Sequence, residues 1–150
     1  MKQVVKNNFS LTVPARSVNE SFARTAVAAF VSQLDPTIDQ INDIKTAVSE
    51  AVTNCIVHAY RESIGNIYIK AYIYTNNTVC IKIKDKGVGI DNVSKAMEPL
   101  FTTGAGERAG LGLSVMESFM DSLKVTSKKD KGTLVTMTKK ISVRVSGNAK

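Results

Sequence analysis

Glu50-Ala-Val-Thr-Asn54-Cys-Ile-Val-His58 decides the reading of this chain, with Asp85-Lys-Gly87-Val-Gly89-Ile and Gly110-Leu-Gly112-Leu downstream of it. The first segment lies where Ile41, Ile44, Val48, Val52 and Cys55 recur at helical spacing, behind Thr37 and Gln40 in the spacing of a capping box. The period predicts a helix running to about Tyr60, ahead of the Gly65-Asn66 turn. On that helix Glu50, Asn54 and His58 fall at i, i+4 and i+8, in one row, beside a row of small residues, Ala47, Ala51, Cys55 and Ala59. A polar row next to a low-relief row leaves room for a ligand.

Outward from this helix, residues 8–15 alternate and end at Pro14, which predicts a first strand. Ser17 and Glu20 repeat the capping spacing, and Phe22, Ala26, Ala29 and Phe30 form the apolar stripe of a helix reaching Leu34, where Asp35-Pro36 stops it. Residues 67–74 and 78–84 are β-rich and flank Asn76-Asn77, a dipeptide suited to positive φ in a hairpin. A short helix is expected over 91–97, and a loop over 99–109, which has no regular apolar period. A last helix is expected over 111–120, then strands over 123–127 and 133–141 about the Lys-Lys-Asp-Lys-Gly132 turn, and a frayed tail over 142–150. The order predicts an α+β fold: a two-layer α/β sandwich whose mixed, mostly antiparallel sheet carries helices on one face, in one domain spanning 1–150.

At 150 residues and 43% apolar content the chain suffices for one ordinary core. No run approaches a membrane span and the N-terminus lacks the apolar core of a secretion signal, so a soluble, cytoplasmic protein with no membrane partner is expected. Cys55 and Cys80 form no CxxC pair, and a single histidine offers no metal cluster, so two buried reduced thiols are expected. The formal charge of +7 is concentrated from Asp121 to Lys150, where eight Lys or Arg face two Asp, a surplus of six. No aromatic residue interleaves these lysines, so a solvated hairpin and tail, without direct nucleic-acid contact, is the expected reading.

The three segments can together form one site. Asn54 can offer an amide oxygen to Mg²⁺, and Glu50 can take a proton from an attacking hydroxyl, although a solvated helix face reads the same from this segment alone. Asp85, held at a strand end before Gly87 and Gly89, can accept the exocyclic amine of adenine. Guanine would set a carbonyl there, at a desolvation cost of roughly 1–3 kcal/mol, so ATP is expected over GTP; an ordinary turn is the alternative. Gly110 and Gly112 open a helix whose free N–H groups favour phosphate, or else make a packing joint. Arg108, just before them, can reach a terminal phosphate or simply stand in solvent.

These motifs resemble the ATP-binding superfamily shared by gyrase-type ATPases, Hsp90, MutL and histidine kinases, with its Bergerat-type fold. A closer resemblance, over nearly the whole chain, is to bacterial anti-sigma factor serine kinases, and among them to the sporulation anti-sigma-F group. It is carried by Asn19-Glu-Ser-Phe-Ala-Arg24, Ser49-Glu-Ala-Val-Thr-Asn54, Pro99-Leu-Phe-Thr-Thr103 and Met116-Glu-Ser-Phe-Met-Asp121. The resemblance implies Glu50 as general base, Asn54 as magnesium ligand, Asp85 as adenine-amine acceptor, Gly87 and Gly89 as close-approach glycines, and Thr133 as a second adenine-side contact. It implies a lid over 99–109 with Thr103, Arg108, Gly110 and Gly112 near the phosphates; this lid reads Gly-Ala-Gly-Glu-Arg, without the basic residue that often follows the Thr-Thr pair. It further implies a homodimer that uses ATP and Mg²⁺, holds a sigma factor, and phosphorylates a serine of an anti-anti-sigma factor in a manner gated by ATP or ADP. Glu20 and Arg24 match the partner-facing positions, with an intrahelical ion pair as the plain alternative.

Other readings are a nucleotide-gated sigma-binding module without significant kinase activity, a stress-response member of the same group, and a detached catalytic domain of a histidine kinase. A DNA-acting ATPase of the gyrase or MutL kind is the less expected reading, since these 150 residues are read as one domain without an additional transducing one.

Overall fold

A computed structural model describes residues 3–93 and 112–142 of the chain. Strand β1 (Val5–Pro14) leads into helix α1 (Val18–Val31), a 3-10 turn (Ser32–Leu34) and helix α2 (Ile38–Asn54). After a π turn (Cys55–Ala59) come β2 (Asn66–Tyr74) and β3 (Thr78–Asp85), then α3 (Leu113–Phe119), β4 (Ser122–Lys128) and β5 (Gly132–Lys140). The strands form one sheet in the order β1-β2-β3-β5-β4, and every neighbouring pair is antiparallel. The expected admixture of parallel pairing is absent among the described residues.

Alternation explains why the sheet has one covered face. Ile67, Ile69, Ala71 and Ile73 of β2 and Val79, Ile81 and Ile83 of β3 are buried, and so are Val135 and Met137 of β5. Against them pack Ala23, Val27 and Val31 of α1, Ile44, Val48 and Val52 of α2, and Leu113 and Met116 of α3. Asn77 takes φ 67° in the turn between β2 and β3, the conformation its position in the hairpin called for.

Two helix-level expectations are corrected. The core stripe of α1 runs through Ala23, Val27 and Val31, while Phe22 is 53% exposed and Ala29 also faces solvent. The small and β-branched side chains let α1 lie close to α2, whereas a stripe led by Phe22 would hold the helices apart. Phe30 does pack inward, against Phe9 at a ring separation of 4.8 Å. The Ser17 capping box is absent as well: Ser17 is itself helical and makes no side-chain cap bond, Glu20 N–H donates instead to the Ser17 backbone carbonyl at 3.2 Å, and the Glu20 carboxylate pairs with Arg24. The Thr37 box is present, with Gln40 N–H donating to Thr37 Oγ1 at 3.1 Å and Thr37 N–H to Gln40 Oε1 at 3.0 Å.

The third difference lies at the end of α2. The α-helix stops at Asn54 and continues as the π turn rather than to Tyr60. A π turn adds a residue to the helical repeat, so His58 leaves the four-residue row of Glu50 and Asn54.

Candidate functional site

Asp85 ends β3 on the helix-covered side and is 6% exposed, the sole charged side chain so buried among the described residues. Its carboxylate accepts from Gly87 N–H at 2.9 Å and from the Cys55 thiol at 3.7 Å, and the backbone N–H of Thr133, opposite it in β5, also favours its charged form. Desolvation outweighs these donors and pushes the Asp85 pKa above the ordinary aspartate value. Burial and the neighbouring carboxylate raise the Cys55 pKa well above that of a free thiol, which keeps Cys55 a protonated donor.

The small-residue row has a different use from the one its pattern suggested. Ala47, Ala51, Cys55 and Ala59 are buried in the protein rather than bordering open space. Their low relief brings α2 and its π turn close to the end of β3, within reach of Cys55 to Asp85. Val88 N–H donates to the Ala59 carbonyl at 3.0 Å, and a Cβ at Gly87 would collide with that carbonyl. Gly89, at φ 78°, lies equally close to the Lys128 carbonyl. In the described structure, then, both glycines approach the protein's own backbone. Tyr60 completes the cradle: its hydroxyl accepts from Lys86 N–H and donates to the Asn66 carbonyl, each at 2.7 Å. On the other side Ile90 N–H donates to Ser127 Oγ at 2.7 Å, and Ser127 and Thr133 hydroxyls are 2.8 Å apart.

Glu50 stands one turn before the end of α2, and Asn54, whose Oδ1 is shielded from solvent, ends it. Gly112 caps α3 in the left-handed conformation, φ 64° and ψ 18°, and a Cβ there would run into the Glu50 carboxylate. Glycine is therefore what lets the start of α3 close on Glu50. Partial burial raises the Glu50 pKa above the ordinary glutamate value.

From Glu50 a groove of about 320 Å³ extends along the outside of α2 to α1, lined by Arg24, Asn42, Lys45, Thr46, Ser49 and Glu50. Arg24 Nε donates to Glu20 at 2.8 Å, and this partner, followed by Ser49, holds the Glu20 carboxyl below its usual range. The ion pair that was the plain reading of these two residues is thus formed, and it borders the groove that leads to Glu50.

The described site therefore gathers Glu50, Asn54 and Gly112 on one side and Asp85, Gly87, Gly89 and Thr133 on the other, joined through Cys55 and Ala59. Thr103, Arg108 and Gly110, the expected lid over 99–109, most of the expected helix over 91–97 and the tail beyond Ser142 lie outside the described residues. Sequence reasoning missed the roles of Cys55, Tyr60 and Ser127, because the bonds from Cys55 to Asp85, Tyr60 to Lys86 and Ser127 to Ile90 join residues distant along the chain. Ser49, quoted in the Ser49–Asn54 motif, was assigned no role there, and it lines the groove beside Glu50.

Comparison with known proteins gives the class: the chain belongs to the histidine kinase-like ATPase domain family, which matches residues 13–139. It is thus a nucleotide-binding domain. Within that family it is similar to proteins named anti-sigma F factor. The one from Caldanaerobacter subterraneus subsp. tengcongensis is 60% identical over 136 residues, which is 90% of this chain and 94% of the relative. The one from Clostridium beijerinckii is 56% identical over 140 residues, 91% and 96% of the two chains. Among solved structures, one of the RsbU and RsbW domains of a Mycobacterium tuberculosis protein shares the fold at a TM-score of 0.68 and 17% identity, covering 93% of this chain and 33% of that one. A histidine kinase domain from Erythrobacter litoralis shares it at 0.55 and 16%, covering 86% and 62%.

Proposed function

We propose that this protein is an anti-sigma factor that binds and inhibits a sporulation sigma factor and, with Mg-ATP, phosphorylates a serine of its anti-anti-sigma factor. The observation that carries the reading is the place of Glu50. A partly desolvated carboxylate stands where the glycine start of α3 meets a groove open toward Arg24. A base for a protein hydroxyl needs both neighbours, a nucleotide on one side and an acceptor segment on the other.

In this reading Asp85 accepts the adenine amine, Thr133 gives a second polar contact on the adenine side, and Gly87 and Gly89 hold the loop between them in place. Among the described residues no three His, Cys, Asp or Glu side chains gather into a metal site. One shielded amide oxygen on Asn54 suits a cation that takes most of its ligands from phosphates and water, which fits Mg²⁺. Bound there, Mg²⁺ would neutralise charge on the β- and γ-phosphates. Thr103, Arg108, Gly110 and Gly112 are assigned to the phosphate side. The acceptor serine lies in the groove and gives its proton to Glu50 while its oxygen bonds to the γ-phosphorus. The bond from that phosphorus to the bridging oxygen breaks, and ADP leaves. The raised pKa brings Glu50 nearer to neutrality and strengthens it as a base. Glu20 and Arg24 present α1 to both protein partners, and the cytoplasmic protein works as a homodimer.

The test is transfer of label from γ-labelled ATP with Mg²⁺ into the proteins of the source organism's lysate. One small protein carrying phosphoserine is expected. No label in a lysate that contains the partner would leave a nucleotide-gated sigma-binding module, and label on histidine would identify a histidine-kinase catalytic domain.

A further inference from the structure

The sheet face turned away from the helices gathers basic and aromatic side chains. Residues paired directly across the strands share a face, so the register assembles rows that the sequence scatters. Lys70 pairs with Lys82, which pairs with Thr136, which pairs with Lys124. In the next rows Tyr68 pairs with Lys84, and Thr78 with Lys140, while Lys128 continues the line of Lys124 along β4. The only acidic residue in the five strands is Asp85, and it stands on the opposite face. The result is an uncompensated basic surface with aromatic rings set into it. Tyr72 and Tyr74 lie 6.3 Å apart with ring planes 20° from parallel. Lys82 Nζ lies 5.8 Å from the centre of the Tyr72 ring, and Lys86 Nζ 4.9 Å from that of Tyr68.

We infer that this face binds single-stranded nucleic acid, through lysine contacts to phosphates and base stacking on the β2 tyrosines. Three occupants can be weighed. A second copy of the chain, docked isologously, would set like charge against like. An acidic protein surface would use the lysines but not the row of rings. A flexible strand uses both, since successive bases stack on aromatic side chains while a basic surface follows the backbone. Duplex is the poorer fit, because its bases are stacked internally and not offered to the rings. Along the chain the lysine-rich end has no aromatic neighbours; the pairing of β2 to β3 and of β3 to β5 supplies them.

The test is fluorescence anisotropy of labelled oligo-dT and oligo-U with the full chain, beside a duplex of equal length and competition by polyglutamate. Both single strands are expected to bind more tightly than the duplex, and their ratio shows whether RNA or DNA is preferred. The affinity should fall with salt at about −0.7 log units per log unit for each phosphate contacted, and replacing Lys70, Lys82 and Lys124 together by Gln should flatten that slope by about 2. Tyr72→Ala should weaken single-strand binding on the order of tenfold. Tyr72→Leu, which keeps an apolar side chain in the sheet, should weaken it similarly if stacking is the cause. No binding at low salt would overturn the inference. So would polyglutamate competing as well as single strands with neither tyrosine variant having an effect, which would mark the face as a dock for an acidic protein.

Discussion

Glu50 and Asp85 are both pushed toward the neutral form by burial, with different consequences. For Glu50 the direction serves proton acceptance: transfer should fail on the acid side at a pH above the ordinary glutamate range, which a pH–rate profile of single-turnover transfer would show. For Asp85 it costs stability. Its folded pKa lies above its unfolded value, so the folded state holds the extra proton between the two. Stability then falls as pH rises from the ordinary aspartate value through the folded one. Urea melts across the acid range should therefore show Asp85→Asn gaining stability relative to the natural protein as pH rises, while ATP affinity is lost. Asp85 itself was legible, since an alternating run ended in a carboxylate before two glycines. The thiol bond from Cys55 was not, because it depends on how closely α2 lies on the sheet.

Helix starts show why a motif is weaker evidence than a bond. Thr37 and Ser17 carry the same spacing to Gln40 and Glu20, but only Thr37 caps. Thr37→Ala should lower unfolding free energy by about 1 kcal/mol in denaturant melts, and Ser17→Ala should change it by less than about 0.5 kcal/mol. The difference lies in the backbone: Thr37 is extended and its hydroxyl meets Gln40 N–H, whereas Ser17 is already helical and its carbonyl takes Glu20 N–H. The Glu20 carboxylate pairs instead with Arg24, beside the groove to Glu50. Arg24→Glu should abolish binding of sigma factor and substrate in pull-down while leaving ATP affinity intact; unchanged binding would remove α1 from the interface. The apolar period found α2 and its core stripe, yet could not show the π turn at its end, because a single extra residue in the repeat leaves no mark in composition.

At the scale of the molecule, the sheet explains how segments far apart in the chain become one site. Placing β5 between β3 and β4 sets Thr133 opposite Asp85 and brings the turn after β4 against Gly89. Strand existence was readable from alternation, but strand order was not, since each strand's buried side chains would suit several neighbours. Ile81, fully buried on the central strand β3, tests the core itself: Ile81→Ala should cost about 2–5 kcal/mol in the same melts. The central claim is that one carboxylate at the junction of nucleotide site and groove takes the serine proton. The most direct measurement is ATP affinity and phosphoryl transfer, side by side, for the natural protein and Glu50→Gln. The account predicts near-equal affinity with transfer lost in the variant; transfer retained by Glu50→Gln would contradict it.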